Sequence, residues 1–481
     1  GSTSAGALPI IEIDKSAGTL TLSSIIRTGR NWTWTAGTID ATTNDSTVVF
    51  ASILTITGSH PLDNVTFNGS GSTYTIADNN TLTVAGTLTL TDGVISQTTI
   101  PATGSVAAQS HITQDSTFDG GTGRIEITAG NNQTFTGSAT QTSGLLPNIE
   151  IDKSSNTLTF SGTLRTFRNW TWTAGALDAT TNDSTVVFTG TGATGSTITG
   201  SHTLDNVTFD PNASGGATTY TIASGTILTV AGNLLVDNTG TQAATINTGT
   251  LSVQGGLTTT TDIAGSSPIT LSGGNSQSIN AAELTTGLFT INKTVGTTAT
   301  LAAALPVSAV GQDFTFTAGT LDLAGFNLTV NDIFTLDASA TLRLQGGETV
   351  SVIDTVTAGS TVLYYGTSSY TTSLAAGNTY SNLTFNGVNG VWEPNGAVTV
   401  GSNLTITNGT FDIDGQNLTV TGTFSNDDTL RLTGGETTVT ITNDTNSGTV
   451  EYDGGAAYTG LKLGNSYYHL TFNGLGSWTL G

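Results

Sequence analysis

Residues 31–50 read NWTWTAGTIDATTNDSTVVF and residues 169–188 read NWTWTAGALDATTNDSTVVF, so two positions of twenty differ. The match extends in both directions. LPIIEIDKS (8–16) pairs with LPNIEIDKS (146–154) at the same offset of 138 residues. After a four-residue insertion, SHPLDNVTFN (59–68) pairs with SHTLDNVTFD (201–210). Self-similarity of this kind constrains the fold more than any composition figure. A repeated supersecondary unit buries its apolar face against copies of itself, which leads to stacked arrays.

A second set of repeats fills the C-terminal half. GTLDLAGFNLTV (319–330) pairs with GTFDIDGQNLTV (409–420), ATLRLQGGETVSV (340–352) with DTLRLTGGETTVT (428–440), and GNTYSNLTFNG (377–387) with GNSYYHLTFNG (464–474). The two sets share one strand pattern, seen in NVTFN, NVTFD, NLTFN and HLTFN, with IEIDK and FTINK in the same slot and GRIEIT (123–128) as a weaker copy. The last apolar residue of each clear copy is Ile13, Phe67, Ile151, Phe209, Ile291, Phe385 and Phe472, giving spacings of 54, 84, 58, 82, 94 and 87. The modules therefore vary in length. They divide the chain into 1–144 and 145–286, each with one NWTWT copy, then 287–376, and 377–481, which ends in the start of another module.

Within modules a finer rhythm appears. Apolar-x-apolar strands begin at 321, 328, 334, 342 and 350, and again at 404, 411, 418, 423, 430 and 439. Alternation with period two marks strands with one buried face, and Gly, Asn or Asp in the gaps marks turns. β-branched residues are abundant and long helix-forming stretches are absent, so the chain is expected to be all-β. Three such strands make a coil of about 20–22 residues, the rhythm of an elongated parallel β-solenoid whose coils stack about 4.8 Å apart. The alternative is a string of tandem Ig-like β-sandwiches, since several modules approach one domain of roughly 100 residues. Sandwich strands are usually longer, and the 54 and 58 spacings are short for that fold.

Short LTV and LTI strands with G-T-L and N-G turns, in a Cys-free array rich in Thr, Asn and Gly, resemble the β-solenoid repeat regions of large prokaryotic adhesins and surface proteins. The resemblance covers nearly the whole chain and is one of class, with degenerate motifs. It implies an extracellular or cell-surface location and a mostly structural role, and it carries no catalytic residues with it.

Charge narrows the partners. The 34 acidic and 11 basic residues give a net charge of −23, which repels a phosphate backbone and argues against nucleic-acid binding. Divalent cations and cell-surface polysaccharide are the candidate external partners. The absence of cysteine excludes disulfides, thiol catalysis and Cys-based zinc sites. No apolar run reaches the ~20 residues of a membrane-spanning helix, and no signal peptide is present. Methionine is absent even at position 1, so a processed chain or a section of a longer one is expected.

Catalytic chemistry finds little purchase. The histidines are His60, His111, His202 and His469, of which His60 and His202 are repeat equivalents. No G-x-S-x-G elbow or phosphate-cradling loop occurs. A carbohydrate-active β-solenoid enzyme needs carboxylates paired in a cleft, and the nearest pair is Asp412 and Asp414 in FDIDGQN. The same two residues are weak calcium candidates, because calcium takes six to eight oxygens and D-x-D-G supplies few of them. The other reading is Asx turn chemistry. No catalytic residue is assigned and no cofactor is required; calcium is the one candidate ion.

Other signals have a plain reading beside a sharp one. Lys15, Lys153 and Lys293 share one repeat position just after a strand. They are read as gatekeeper charges at a strand end, with an isopeptide cross-link as the sharper alternative. Seventeen N-x-[ST] sequons occur, among them Asn31, Asn64, Asn169, Asn206, Asn382 and Asn417. They permit glycosylation, and they also arise from N-L-T-[VF] strands. Thr-x-Thr rows suit ice or carbohydrate binding only if every coil keeps them on one face, which this chain does not.

The NWTWT stretch reads as interior. N31-W-T-W-T-A-G aligns with D313-F-T-F-T-A-G and N403-L-T-I-T-N-G, so Trp32/Trp34 and Trp170/Trp172 are replaced by Phe314/Phe316 and by Leu404/Ile406. A sugar-stacking platform does not survive as Leu and Ile, whereas a core ladder does. Both termini fall in nearly the same phase of a module, with no polar or helical cap. These features lead to a non-catalytic rod whose open ends join head to tail, since an uncapped end exposes unpaired strand edges. A filament or surface layer follows from that reading. The alternatives are an adhesin stalk or a ligand-binding β-solenoid.

Overall fold

The computed structural model describes residues 4–98, 103–190, 194–211, 218–237, 244–260 and 263–480. Among them there is no helix, and every strand pairing whose register is resolved is parallel. Equivalent positions of stacked coils lie about 21 residues apart. The fold is a parallel β-solenoid. Ig-like sandwiches pair their strands antiparallel, so the tandem-sandwich alternative is ruled out.

The chain forms two compact units, one of residues 1–253 with 263–267 and one of 254–262 with 268–481. In the first, three columns of short strands run through successive coils. Val65, Leu88, Ile112 and Phe135 align in one column, Tyr74 and Ile95 in a second, and Leu82, Val106, Ile125 and Ile149 in a third. All of these side chains are buried. The Thr residues between them point outward, as alternation requires. In the second unit Phe289, Phe314 and Phe334 stack with ring centroids 5.3 and 4.9 Å apart, and Leu342, Val362, Leu383 and Leu404 form an adjoining column.

Strands bend from one column to the next at a glycine. The T-A-G and T-N-G glycines Gly37, Gly175, Gly319 and Gly409 have φ of 102°, 103°, 91° and 91°. Left-handed backbone is one reason for glycine there. Space is the other: a Cβ at Gly175 would lie 2.5 Å from Lys153 Cβ, in the coil before it.

Asparagine closes the coils on their outer edge. In N-Φ-T-Φ strands the Asn side-chain oxygen accepts a backbone N–H from the next coil. Asn31 accepts from Thr55 (3.0 Å), Asn64 from Thr87 (2.8 Å), Asn169 from Thr197 (3.3 Å), Asn206 from Asn233 (3.0 Å), Asn382 from Asn403 (3.2 Å) and Asn417 from Thr438 (2.8 Å). This ladder explains why so many sequons arise: the Asn is a coil-to-coil hydrogen-bond acceptor, and the following Thr is the outward residue of the strand.

Candidate functional site

The residues of the expected core ladder divide into two groups. Trp32, Trp170, Phe314, Phe316, Leu404 and Ile406 are buried in the interior. Trp34 and Trp172 depart from the expectation and are half-buried. Alternation sets both indoles of each copy on one side of the strand. The following coil, however, pairs only as far as Trp32↔Ile56 and Thr33↔Thr57. Gly58 then leaves the strand at φ 87° and lies close against Trp34, where a Cβ would sit 1.9 Å from the Trp34 carbonyl oxygen. The strand ladder therefore ends before Trp34. Its ring lies against His60, 6.2 Å between centroids at 22°, and its Nε1 donates to the Gly37 carbonyl at 3.1 Å. Trp172 repeats this with His202 at 6.4 Å and the Gly175 carbonyl at 3.2 Å.

The two repeat histidines are interior side chains. His60 Nδ1 donates to the Gly58 carbonyl at 2.7 Å, and Nε2 accepts from Trp32 Nε1 at 2.9 Å. That pair of bonds requires the neutral Nδ1–H tautomer. Burial pushes His60 below the ordinary histidine value, partly offset by the Gly58 carbonyl. His202 is lowered by the same causes, with Gly200 in place of Gly58. His111 is on the outer surface and bonds Thr134 through Nδ1. His469 is exposed on strand His469–Phe472.

The repeat lysines correct the gatekeeper reading. Lys153 is 2% exposed, and its Nζ donates to the carbonyls of Ala129 and Asn131 at 2.8 Å each and to Gln133 Oε1 at 2.6 Å. Lys293 is equally buried, with Gln277 Oε1 at 2.6 Å and the Ser272 carbonyl at 3.3 Å. Desolvation lowers both ammonium groups. Three donors on a flexible stem suit an inward corner lined by carbonyls. The acceptors are carbonyls and Gln amides, not the Asn or Asp side chain that an isopeptide requires. Lys15 is half-buried. In the copies that lack the lysine, the corner is filled by an aromatic ring: Tyr74 packs beneath Gly93 and Trp392 beneath Gly409.

Two buried carboxylates organise the G-G-E turns. Glu348 Oε1 accepts the N–H groups of Gln345 and Gly325 at 2.7 and 3.1 Å, and Oε2 accepts Gly346 N–H at 2.7 Å. Glu436 does the same with Thr433 and Gly434. Sequence reasoning passed over these residues. The signal was there, because R-L-x-G-G-E recurs at 343–348 and 431–436.

Asp412 and Asp414 belong to a charged corner. Asp412 is buried, its Oδ2 bonded to Arg431 at 3.2 Å and its Oδ1 accepting Asp414 N–H at 3.0 Å. Burial raises Asp412, opposed by the Asp414 N–H and Arg431. Arg431 also reaches Glu451 at 3.0 Å and Asp453 at 3.9 Å. The repeat equivalent joins Asp322 to Arg343 at 2.8 Å, with Tyr365 stacked under the guanidinium at 4.0 Å and bonded to Asp322. Asp412 therefore serves an Asx turn and an ion pair. Among the described residues no group of three or more His, Asp or Glu is placed to hold a metal ion. The groove of about 320 Å³ bordered by Val350, Ser351, Leu374, Ala376, Asn378 and Asn395 has no titratable side chain in its wall. Among the described residues no helix is long and apolar enough to cross a membrane.

Comparison with known proteins finds no matching family model, no matching curated protein and no matching solved structure.

Proposed function

We propose that this chain is a structural, non-catalytic repeat protein of the cell surface or extracellular space: a rod that associates with further copies head to tail, as a filament or surface layer. One observation carries the reading. The buried charged groups Lys153, Lys293, Glu348, Glu436 and Asp412, the last paired with the half-buried Arg431, are each committed to binding one coil to the next or closing a turn. Charge buried for chemistry is left poised to act, whereas these groups are engaged in hydrogen bonds or ion pairs to neighbouring backbone and side chains. Self-association draws on the coil itself. A parallel stack carries unpaired N–H and C=O groups at each end, and a coil of like register complements them. The acidic, Cys-free composition suits an exposed surface protein.

Sedimentation velocity over a wide concentration range, with electron microscopy of the same samples, tests this. End-to-end species that lengthen with concentration are expected. A single monomeric species at all concentrations, unchanged when a charged cap is fused to one end, would sink the self-association.

A further inference from the structure

Asp210–Pro211 is the one Asp–Pro bond in the sequence. Such bonds are the weakest peptide links toward acid, because the tertiary amide nitrogen is comparatively basic and the Asp carboxyl can reach its own carbonyl. Here the bond sits in a built environment. Asp210 ends strand Asn206–Asp210, pairs with Thr189 and is half-buried. Its main-chain carbonyl accepts Gly190 N–H at 3.2 Å. Pro211 is buried and has no N–H to give, so the ladder stops at this bond.

Two charged side chains, Arg165 and Asp237, act on the Asp210 carboxyl, and Tyr220 is in turn influenced by Asp210 and Arg165. Arg165, from strand Asn148–Thr166, is 3% exposed and donates to Thr189 Oγ1 at 3.2 Å. Tyr220 comes from strand Thr218–Val230, and Asp237 follows strand Leu234–Val236. Arg165 Nε, Tyr220 OH and Asp237 Oδ1 are buried without hydrogen-bond partners. Burial raises the Asp210 carboxyl above its ordinary value; Arg165 opposes this and Asp237 adds to it.

We propose that the chain cleaves itself once at Asp210–Pro211 in mild acid, with the Asp210 carboxyl as the nucleophile. An Asp210 Oδ attacks the main-chain carbonyl carbon of the same residue and closes a cyclic anhydride. The carboxyl proton passes to the Pro211 nitrogen, which leaves as a secondary amine when the C–N bond breaks. One water, reaching the half-exposed residue, opens the anhydride to two carboxyl groups. No oxidant, reductant or further reactant enters. Gly190 N–H stabilises the oxygen on which charge develops. A carboxyl that keeps its proton to higher pH extends the reaction toward neutrality. The first copy lacks this chemistry, since Asn68–Gly69 occupies the same place.

The test is intact-mass spectrometry of the full chain held in mildly acidic and in neutral buffer. Two fragments, 1–210 and 211–481, are expected to accumulate in acid, together one water heavier than the intact chain. They should stay associated under native conditions, since the strand pairs on either side of the nick persist. Asp210→Asn should abolish them, and the fold tolerates Asn at the equivalent Asn68. Asp237→Asn should move the onset to lower pH and Arg165→Gln to higher pH. The folded chain should cut faster than the same chain in urea at equal pH. Absence of fragments, cleavage surviving Asp210→Asn, or an unfolded chain cut as fast as the folded one overturns the proposal. A pH profile indifferent to both Asp237→Asn and Arg165→Gln also counts against it.

Discussion

The two NWTWTAG copies are nearly the same sentence set in two different paragraphs. Both have the same register against the preceding coil: Ile11↔Trp32 and Ile13↔Trp34 in one, Ile149↔Trp170 and Ile151↔Trp172 in the other. Both build the same aromatic run. Trp32, Phe50, Phe67 and Tyr74 follow each other at 5.9, 5.5 and 4.8 Å; Trp170, Phe188, Phe209 and Tyr220 do so at 6.0, 5.6 and 4.9 Å. The polar atoms differ. In the first copy Trp32 bonds His60, and Tyr74 OH donates to the Asp92 carbonyl at 3.2 Å. In the second, Trp170 Nε1, His202 Nε2 and Tyr220 OH are all buried without partners. Between the STVVF strand and the Ser-His pair the sequence is ASILTITG (51–58) in one copy and the longer TGTGATGSTITG (189–200) in the other. Apolar stacking tolerates such a change because it is non-directional. A hydrogen bond does not, because it needs its donor and acceptor within a few tenths of an ångström.

The largest test of this comparison is removal of the shared stack. Trp32→Ala and Trp170→Ala should each cost about 3–5 kcal/mol, the usual loss for a fully buried tryptophan. Hydrogen exchange of strands Thr47–Phe50 and Thr185–Thr189 reads each copy separately, which matters because repeat arrays need not unfold in one step. A large loss in one copy and none in the other would break the equivalence.

Next is the lysine corner. Lys153→Met should cost about 1–3 kcal/mol, because two carbonyls and the Gln133 amide lose their donor. Lys15→Met should stay within about 0.5 kcal/mol, because the half-buried Lys15 ammonium holds none of these contacts. Equal effects in local exchange would show that the buried contacts of Lys153 are not what holds its coil.

The hydrogen bonds themselves are isolated by Trp32→Phe against Trp170→Phe. The lost area is the same in both, so the difference reports the Trp32–His60 bond. Trp32→Phe should be worse by about 1 kcal/mol. A reversed order in denaturant midpoints would contradict the bonding pattern.

The smallest effect is the pH dependence. Both repeat histidines titrate below their ordinary value in the folded chain. As pH falls through about 6.5 the unfolded chain takes up protons first. Each histidine therefore contributes stability that is full above that pH and declines on acidification toward the depressed folded value. The denaturant midpoint should drop over that window, and His60→Gln with His202→Gln should flatten the drop. An unchanged slope in the double variant would assign the pH dependence to other groups.

Much of the architecture was legible because its signals are local. Apolar alternation names the inward side of a strand, and Gly or Asn names the turn. Their six-to-nine-residue rhythm therefore implied three-strand coils. Trp34 shows where that reading stops. Its strand position says inward, but sealing it depends on what the next coil sets opposite, and that coil leaves the ladder there and offers a glycine, Gly58. Lys153 shows the converse, since a lysine after a strand looks exposed until the corner carbonyls of the previous coil are in place. The sequon asparagines and the G-G-E glutamates were visible as repeats, but their role as backbone caps needed the neighbouring coil.

Sequence by itself determined the all-β class, the coil rhythm and the apolar ladder, since each follows from which residues alternate within a single strand. Tertiary structure alone decided which polar groups are satisfied, which tryptophans are sealed, and that Lys153, Glu348 and Asp412 point inward. The physical reason is separation: partners in a solenoid are about 21 residues apart along the chain yet only about 4.8 Å apart in space. Stacking register, rather than any local pattern, chooses who meets whom.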